Sequence, residues 1–260
     1  METIHGDLYD YPQYYEIVYG DDWRAELDFL LAALEKHGRP STKRVFEPAC
    51  GTGRLLWRLG KKGFEVGGND LNPKMITYCN QRLARHRLPK SAVVGDMTNF
   101  QCEKKVDLIF NMINSFRHLA TEEMAVNHLQ SVARSLRKGG LYILGLHLTP
   151  TVKSPIDGES WSGRRGHLAV LSSLQLKERD LKNRKEAFQM SFEVYKPTEI
   201  FRIENEVSFR TYTAEQFSAL LAKVPALAVA ASYDFAYEID EPITVDSSTE
   251  DVVFILKKKD

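Results

Sequence analysis

The run RVFEPACGTGRLLW, Arg44 to Trp57, sets an apolar pair and a proline ahead of two closely spaced glycines, and a leucine-rich stretch follows. A buried strand that breaks into a nearly side-chain-free turn and then enters a helix is the entry unit of a parallel α/β sheet. Glycines there let the backbone approach a ligand at the carboxyl edge of the strands. The rest of the chain agrees with that entry. Val45-Phe46 leads to a helix over Gly53 to Leu59, and Phe64 to Gly68 leads to a helix opening at Asn72-Pro73, an N-cap followed by proline at the first helical position. Ala92 to Val94 and Val106 to Phe110 read as further strands. Thr121 to Leu136 reads as a helix stopped by Lys138-Gly139-Gly140, and Leu141 to Leu148 as the fifth strand. Alternation of this kind predicts a Rossmann-like, doubly wound sheet with helices on both faces.

The pattern changes between Thr149 and Arg210. HLAVLSSLQL, EAFQMSFEVY and EIFRIENEVSF follow one another as extended segments, which predicts an antiparallel β insertion after the fifth strand. Thr213 and Gln216 then form a capping box, Ala214 to Ala222 is helical, and ALAVAASYDF and DVVFIL supply two last strands, for a mostly parallel sheet of seven. The expected organisation is one domain over residues 1–260. It has an N-terminal helical lid at 1–40, a ligand-binding core at 41–148 and 211–260, and an inserted lobe at 149–210. A chain of 260 residues with 43% apolar content can bury such a core.

Charge narrows the partners. Lys plus Arg and Asp plus Glu are 35 each, so the chain lacks the basic footprint of a nucleic-acid or anionic-membrane binder. The short basic clusters at Lys61-Lys62, Arg164-Arg165 and Lys257 to Lys259 read as solvated faces. The N-terminus carries no apolar export core and no apolar run is long enough to span a membrane, so a cytoplasmic location is expected. Cys50, Cys79 and Cys102 lack metal-ligand or disulfide-framework spacing, so no metal is expected, and Cys50 reads as a small buried residue in the turn.

The glycine turn lacks the third glycine of the dinucleotide fingerprint, Leu56 standing in its place, and it is not a phosphate loop. Two acids at later strand ends point elsewhere. Asp70 lies nineteen residues beyond Gly51, where a carboxylate accepts from both hydroxyls of a ribose, and Asp96, in VVGDM, is placed to accept from an exocyclic amino group. An adenosine without phosphates suits that pair.

FEPACGTGRLL, GGNDLNPKM, VVGDMTNF, VDLIFNMINSF and LRKGGLYILGLHL, in this order, resemble the class I S-adenosylmethionine-dependent methyltransferases. The resemblance covers roughly Tyr11 to Leu148 and Thr211 to Lys257. It implies that Glu47 and the backbone of Ala49, Cys50, Gly51 and Gly53 hold the methionine portion of the cofactor. It also implies that Asp70 binds the ribose, Leu71 and Met75 flank the adenine, Asp96 and Met97 contact its edge and face, and Asn111 lies near the sulfonium and the acceptor. Similar enzymes close an N-terminal segment over the cofactor, which would bring Tyr15 and the cation of Arg24 to the site. A general base would come from His118 or His147, unless both are packing residues. The missing NPPY motif, with NMIN at Asn111 to Asn114, and the absence of a Pro-Cys pair argue against base-amino and cytosine-C5 methylation.

A small-molecule acceptor, methylated on oxygen or nitrogen, is therefore expected, with Trp161, Arg164, Arg165 and His167 of the insertion as candidate walls, and a homodimer as a possible assembly. A non-catalytic S-adenosylmethionine-binding protein and a nicotinamide-dependent oxidoreductase are the alternatives.

Overall fold

The computed structural model describes residues 1–259 except Asp22 and Ile156. In chain order the elements are β1 (Glu2–His5), α1 (Pro12–Tyr19), α2 (Arg24–His37), β2 (Arg44–Pro48), α3 (Leu56–Lys61), β3 (Glu65–Asp70), α4 (Pro73–Arg85) and β4 (Ala92–Val94). They continue with β5 (Val106–Asn111), α5 (Glu122–Ser135), β6 (Leu136–His147), β7 (Gly158–Arg165), β8 (Leu168–Asp180), β9 (Lys185–Tyr195), β10 (Ile200–Arg210), α6 (Ala214–Ala222), β11 (Leu227–Tyr233) and β12 (Asp251–Lys258).

Seven strands form the core sheet in the order β11-β12-β6-β5-β2-β3-β4. The five from β6 to β4 run parallel, while β12 pairs antiparallel with β6 and with β11. The chain winds outward from β2 through β3 to β4, then crosses back to β5 on the other side of β2. That reversal opens a crevice at the carboxyl ends of β2 and β5, the place where open α/β sheets bind ligands. All six residues of β5 are buried, as a central strand covered on both faces requires. Side-chain alternation divides the core. Ile109, Tyr142, Leu144 and Phe254 pack with α5 and α6, whereas Leu108, Phe110, Leu141 and Ile143 pack with α2, α3 and α4.

Two boundaries differ from the expectation, each for a backbone reason. Gly53 has φ +67°, outside the helical region, so α3 opens three residues later than the leucine pattern suggests. The Lys138-Gly139-Gly140 stop lies inside a strand. β6 begins at Leu136, paired with Val106, and its register with β5 jumps to Leu141 opposite Leu108. The extra residues bulge out with Gly139 at φ +70°.

The insertion is a four-stranded antiparallel meander, β7 to β10, and the N-terminus completes it. β1 adds as a parallel edge strand along β10, with Ile4 opposite Ile203. α1 lies on the inner face of this second sheet, where Leu8, Tyr14 and Ile17 pack with Val170, Phe192, Val194 and Ile203. α2 instead belongs to the core, through Phe29, Leu30, Ala33 and Leu34. Residues 1–40 are therefore not one helical lid: β1 and α1 join the lobe, and α2 joins the core. Neither β1 nor β7 carries the apolar alternation that would have announced a strand.

Buried charges bolt the lobe to the core. The Arg117 guanidinium donates to Glu186, whose other oxygen accepts from Arg179 Nε at 2.6 Å, and Arg184 pairs with Glu122 at 3.2 Å.

Candidate active site

The turn between β2 and α3 alternates conformations, with positive φ at Ala49, Gly51 and Gly53. Gly53 is required by packing as well, since a Cβ there would run into the Cys79 sulfur on α4. Gly51 is different: a Cβ there would meet nothing within 4 Å, so its outer side is open space at the crevice. Asp70, at the end of β3, closes the turn from beside it. Its Oδ2 accepts from Gly51 N and its Oδ1 from Asn72 N, both at 2.9 Å. Burial pushes the Asp70 carboxyl up, and those two donors pull against it. Each oxygen keeps a lone pair for a further donor.

Glu47, on β2, is buried, and its Oε2 has no hydrogen-bond partner among the described residues. Burial pushes its carboxyl well above the usual range, with Arg54 opposing. Arg54 is itself held by Glu26 at 2.7 and 2.5 Å. Cys50 is buried and in no disulfide, its thiol pushed up first by a hydrogen bond with Cys79 and then by burial.

Beyond β3 the surface turns apolar. Leu71 is 68% exposed, and Val93 and Val94 on the edge strand β4 are also exposed. Asp96 is exposed, with Oδ1 accepting from Thr98 N at 2.7 Å, while Met97 and Met75 are buried. Asn111 is buried at the end of β5. Its amide donates to the Pro48 carbonyl and accepts from Tyr142 Oη at 3.0 Å, so its polar atoms serve the sheet interior.

The N-terminal segment covers this crevice. Asp10 accepts from Asn72 Nδ2 at 2.8 Å and pairs with Lys74 at 3.0 Å, which anchors the turn before α1 to the start of α4. Glu16 on α1 accepts from Thr52 Oγ1 of the glycine turn at 2.6 Å and pairs with the buried Arg82. Between these anchors runs an aromatic file. Tyr9 to Tyr15 is 5.7 Å, Tyr15 to Tyr19 is 4.7 Å and Tyr19 to Trp161 of β7 is 5.5 Å between ring centroids. Burial raises the Tyr15 hydroxyl to about 12, so it stays a neutral donor at physiological pH. Arg24 does not join this group. It is exposed, with its guanidinium 5.5 Å from the Trp23 ring, and Arg54 is the cation beside the turn.

A cavity lies between the edge of the core sheet and the inner face of the lobe, lined by Asn114, His147, Glu159, Leu174, Phe188 and Phe209 among others. The structure separates the two candidate bases. His118 is packed: Nε2 faces Tyr9 Oη at 3.1 Å, the ring meets Phe209 at 4.9 Å, and burial lowers it to about 4. His147 lines the cavity with Nδ1 2.5 Å from Asp251 Oδ1, and its backbone N–H donates to Asn114 Oδ1 at 3.2 Å. Of the expected lobe residues, Trp161 meets Tyr19, whereas Arg164, Arg165 and His167 lie exposed at a hairpin end. Asn114, Leu174, Phe188, Phe209 and Asp251 were not expected. They come together only through the lobe fold and the pairing of β12 with β6.

The sequence profile described as a methyltransferase domain matches residues 45–140, the stretch from β2 into the bulge of β6 that contains the glycine turn, Asp70 and Asp96. Over those residues the chain is similar to a methyltransferase domain. A methyltransferase from Clostridium acetobutylicum, described as S-adenosylmethionine-dependent, shares the domain's fold with a TM-score of 0.78 at 19% identity, covering 95% of this chain and 97% of that one. A sugar N-methyltransferase from a Streptoalloteichus species superposes with a TM-score of 0.73 at 17% identity, covering 98% and 94%. In sequence, the chain is 30% identical over 144 residues to dTDP-3-amino-3,4,6-trideoxy-alpha-D-glucopyranose N,N-dimethyltransferase of Streptomyces venezuelae, covering 55% of this chain and 57% of that one. The chain spans about half the length of the first curated relatives it matches. The sequence likeness covers about half of the chain, while the likeness in fold extends over the lobe. Among the described residues, no helix is long and apolar enough to cross a membrane.

Proposed function

We propose that the protein is an S-adenosylmethionine-dependent methyltransferase acting on a small-molecule acceptor at oxygen or nitrogen. The observation that carries this reading is the buried, unpartnered Glu47 Oε2 at the head of a glycine turn whose open side is cleared by Gly51. A buried carboxyl without a partner is costly, and an ammonium donor relieves that cost. The cofactor's chemistry fits the other residues present: Asp70 retains acceptor capacity for two ribose hydroxyls, the exposed Asp96 would accept from the amino group of an adenine, and the exposed Leu71 would cover its ring.

When bound, S-adenosylmethionine supplies an electrophilic methyl group. The work left to this chain is alignment and exclusion of water. The aromatic file from Tyr9 to Trp161 covers the crevice, and the cavity bounded by Phe188, Phe209 and Leu174 holds an acceptor against the sheet edge. His147, with Nδ1 on Asp251, keeps Nε2 as an acceptor for a proton from a hydroxyl or an ammonium. The balanced charge supports a small acceptor rather than nucleic acid, and three unpaired thiols support a reducing, cytoplasmic setting. The relatives' amino-sugar substrates make an amine the first acceptor class to try.

Incubation with methyl-labelled S-adenosylmethionine and a panel of amino sugars and phenols, followed by mass spectrometry, tests the reading. Labelled product together with a thermal shift in S-adenosylhomocysteine is expected. No shift in S-adenosylhomocysteine alongside a shift in a nicotinamide cofactor would sink it.

A further inference from the structure

Beneath the crevice runs a chain of buried polar side chains, and His128 at its head lies outside every motif quoted above. His128 of α5 and Tyr142 of β6 are fully buried, and Asn111 nearly so. His128 Nδ1 lies 2.8 Å from the Met97 carbonyl, and its Nε2 lies 2.8 Å from Tyr142 Oη. Tyr142 Oη lies 3.0 Å from Asn111 Oδ1, and Asn111 Nδ2 donates to the Pro48 carbonyl. One end of the chain is the backbone beside Asp96. The other is the backbone that enters the glycine turn.

The four contacts can be checked against the protons available. A carbonyl only accepts, so Met97 needs a proton on His128 Nδ1 and Pro48 takes one from the Asn111 amide. Tyr142 has one proton to share between His128 Nε2 and Asn111 Oδ1. A neutral imidazole carries one proton and has spent it on Met97. Four contacts therefore draw on three protons. An imidazolium would supply the fourth, but burial holds His128 at about 4, with only Asp96 among the charged groups raising it, so the ring is neutral at pH 7. The shortfall falls at Tyr142 Oη, whose one proton faces two acceptors, Asn111 Oδ1 and His128 Nε2.

We propose that His128, Tyr142 and Asn111 form a positioning relay for the cofactor crevice: it ties the adenine-side backbone at Met97 to the methionine-side backbone at Pro48, and it runs one proton short at Tyr142. This rests on the cofactor reading above. His128 and Tyr142 are positioning residues, since neither reaches the crevice surface. Because the relay links both ends of the site, its loss loosens them together, and the effect reads out as cofactor affinity and not only as stability.

The test is calorimetric titration of S-adenosylhomocysteine into the wild type, Tyr142→Phe, His128→Asn and the double variant, with melting temperatures, and long-range 15N NMR of the His128 ring. Tyr142→Phe keeps the ring packing, so it folds even if His128→Asn does not. Its affinity is expected to fall roughly tenfold, the equivalent of about 1.4 kcal/mol. The double variant is expected to bind no more weakly than the weaker single variant, because both changes break one chain. The His128 ring is expected as the neutral Nδ1–H tautomer at pH 7. Undiminished affinity in Tyr142→Phe, additive losses, or an Nε2–H or doubly protonated ring would each overturn the relay. A wild type that does not bind S-adenosylhomocysteine would instead overturn the cofactor reading, and the relay's role with it, while the tautomer still reports on the hydrogen-bond pattern.

Discussion

Replacing Asp70 with Asn changes two things that the structure keeps apart. In the ligand-free protein each carboxylate oxygen serves a different backbone donor, Gly51 N on Oδ2 and Asn72 N on Oδ1. An asparagine side chain offers one oxygen and one amide nitrogen, so one of those N–H groups must face another donor. Losing a hydrogen bond to a charged group costs about 1.5 to 3 kcal/mol. Against that, burial already works against the Asp70 charge, so a neutral side chain recovers part of the loss. A net destabilisation of about 1 to 2 kcal/mol corresponds to a melting temperature lower by roughly 2 to 8 °C in a protein of this size. For the ligand, the amide of the Asp70→Asn variant accepts from one ribose hydroxyl and presents a donor to the other. S-adenosylhomocysteine affinity should therefore fall by roughly ten- to a hundredfold, as the loss of about 1.5 to 3 kcal/mol implies. Calorimetric titration and differential scanning calorimetry on the same preparation measure both quantities. If affinity and melting temperature both match the wild type, Asp70 neither closes the turn nor holds the ribose, and the reasoning fails.

Three further outcomes are expected. Glu47→Gln removes a carboxyl whose ionisation burial opposes; the ligand-free protein should melt no lower, and S-adenosylhomocysteine should bind more weakly, whereas unchanged binding would remove Glu47 from the site. His118 and His128 are both lowered to about 4, so the unfolded chain binds protons that the folded one refuses as pH falls from about 6.5 to 4. Stability should then fall on acidification by up to about 1.4 kcal/mol per pH unit for each histidine, and denaturant titrations at pH 7, 6 and 5 that gave level stability would contradict their burial. Arg117→Ala leaves the buried Glu186 with Arg179 as its remaining partner and should cost up to about 3 kcal/mol, the low end for breaking a buried pair, while the paired change Arg117→Met with Glu186→Leu should restore part of it in the same denaturation assay.

What was legible in the sequence was local. Strand and helix alternation, the Asn72 and Thr213 caps, the glycine turn and the acids ending β3 and following β4 each depend on a few neighbouring residues, and periodicity or turn chemistry reports those directly. A cation's place in the chain says nothing about which face of α2 it occupies: Arg24 stands exposed beside Trp23, whereas Arg54, following the turn's glycines, acts on the buried Glu47. β1 was missed because a four-residue segment with a single apolar side chain turned inward acquires strand structure only from β10, some two hundred positions away.

The sequence by itself determined the core sheet, its winding and the turn that faces the crevice, because burial on both faces and backbone sterics leave few alternatives. Only the tertiary structure decided which residues share a cavity or a proton. Joining α1 to the lobe, setting His147 against Asp251, and linking Met97 to Pro48 through His128, Tyr142 and Asn111 all depend on contacts between segments distant in the chain. Such contacts are set by packing and hydrogen-bond satisfaction across the whole fold, and no local pattern records them.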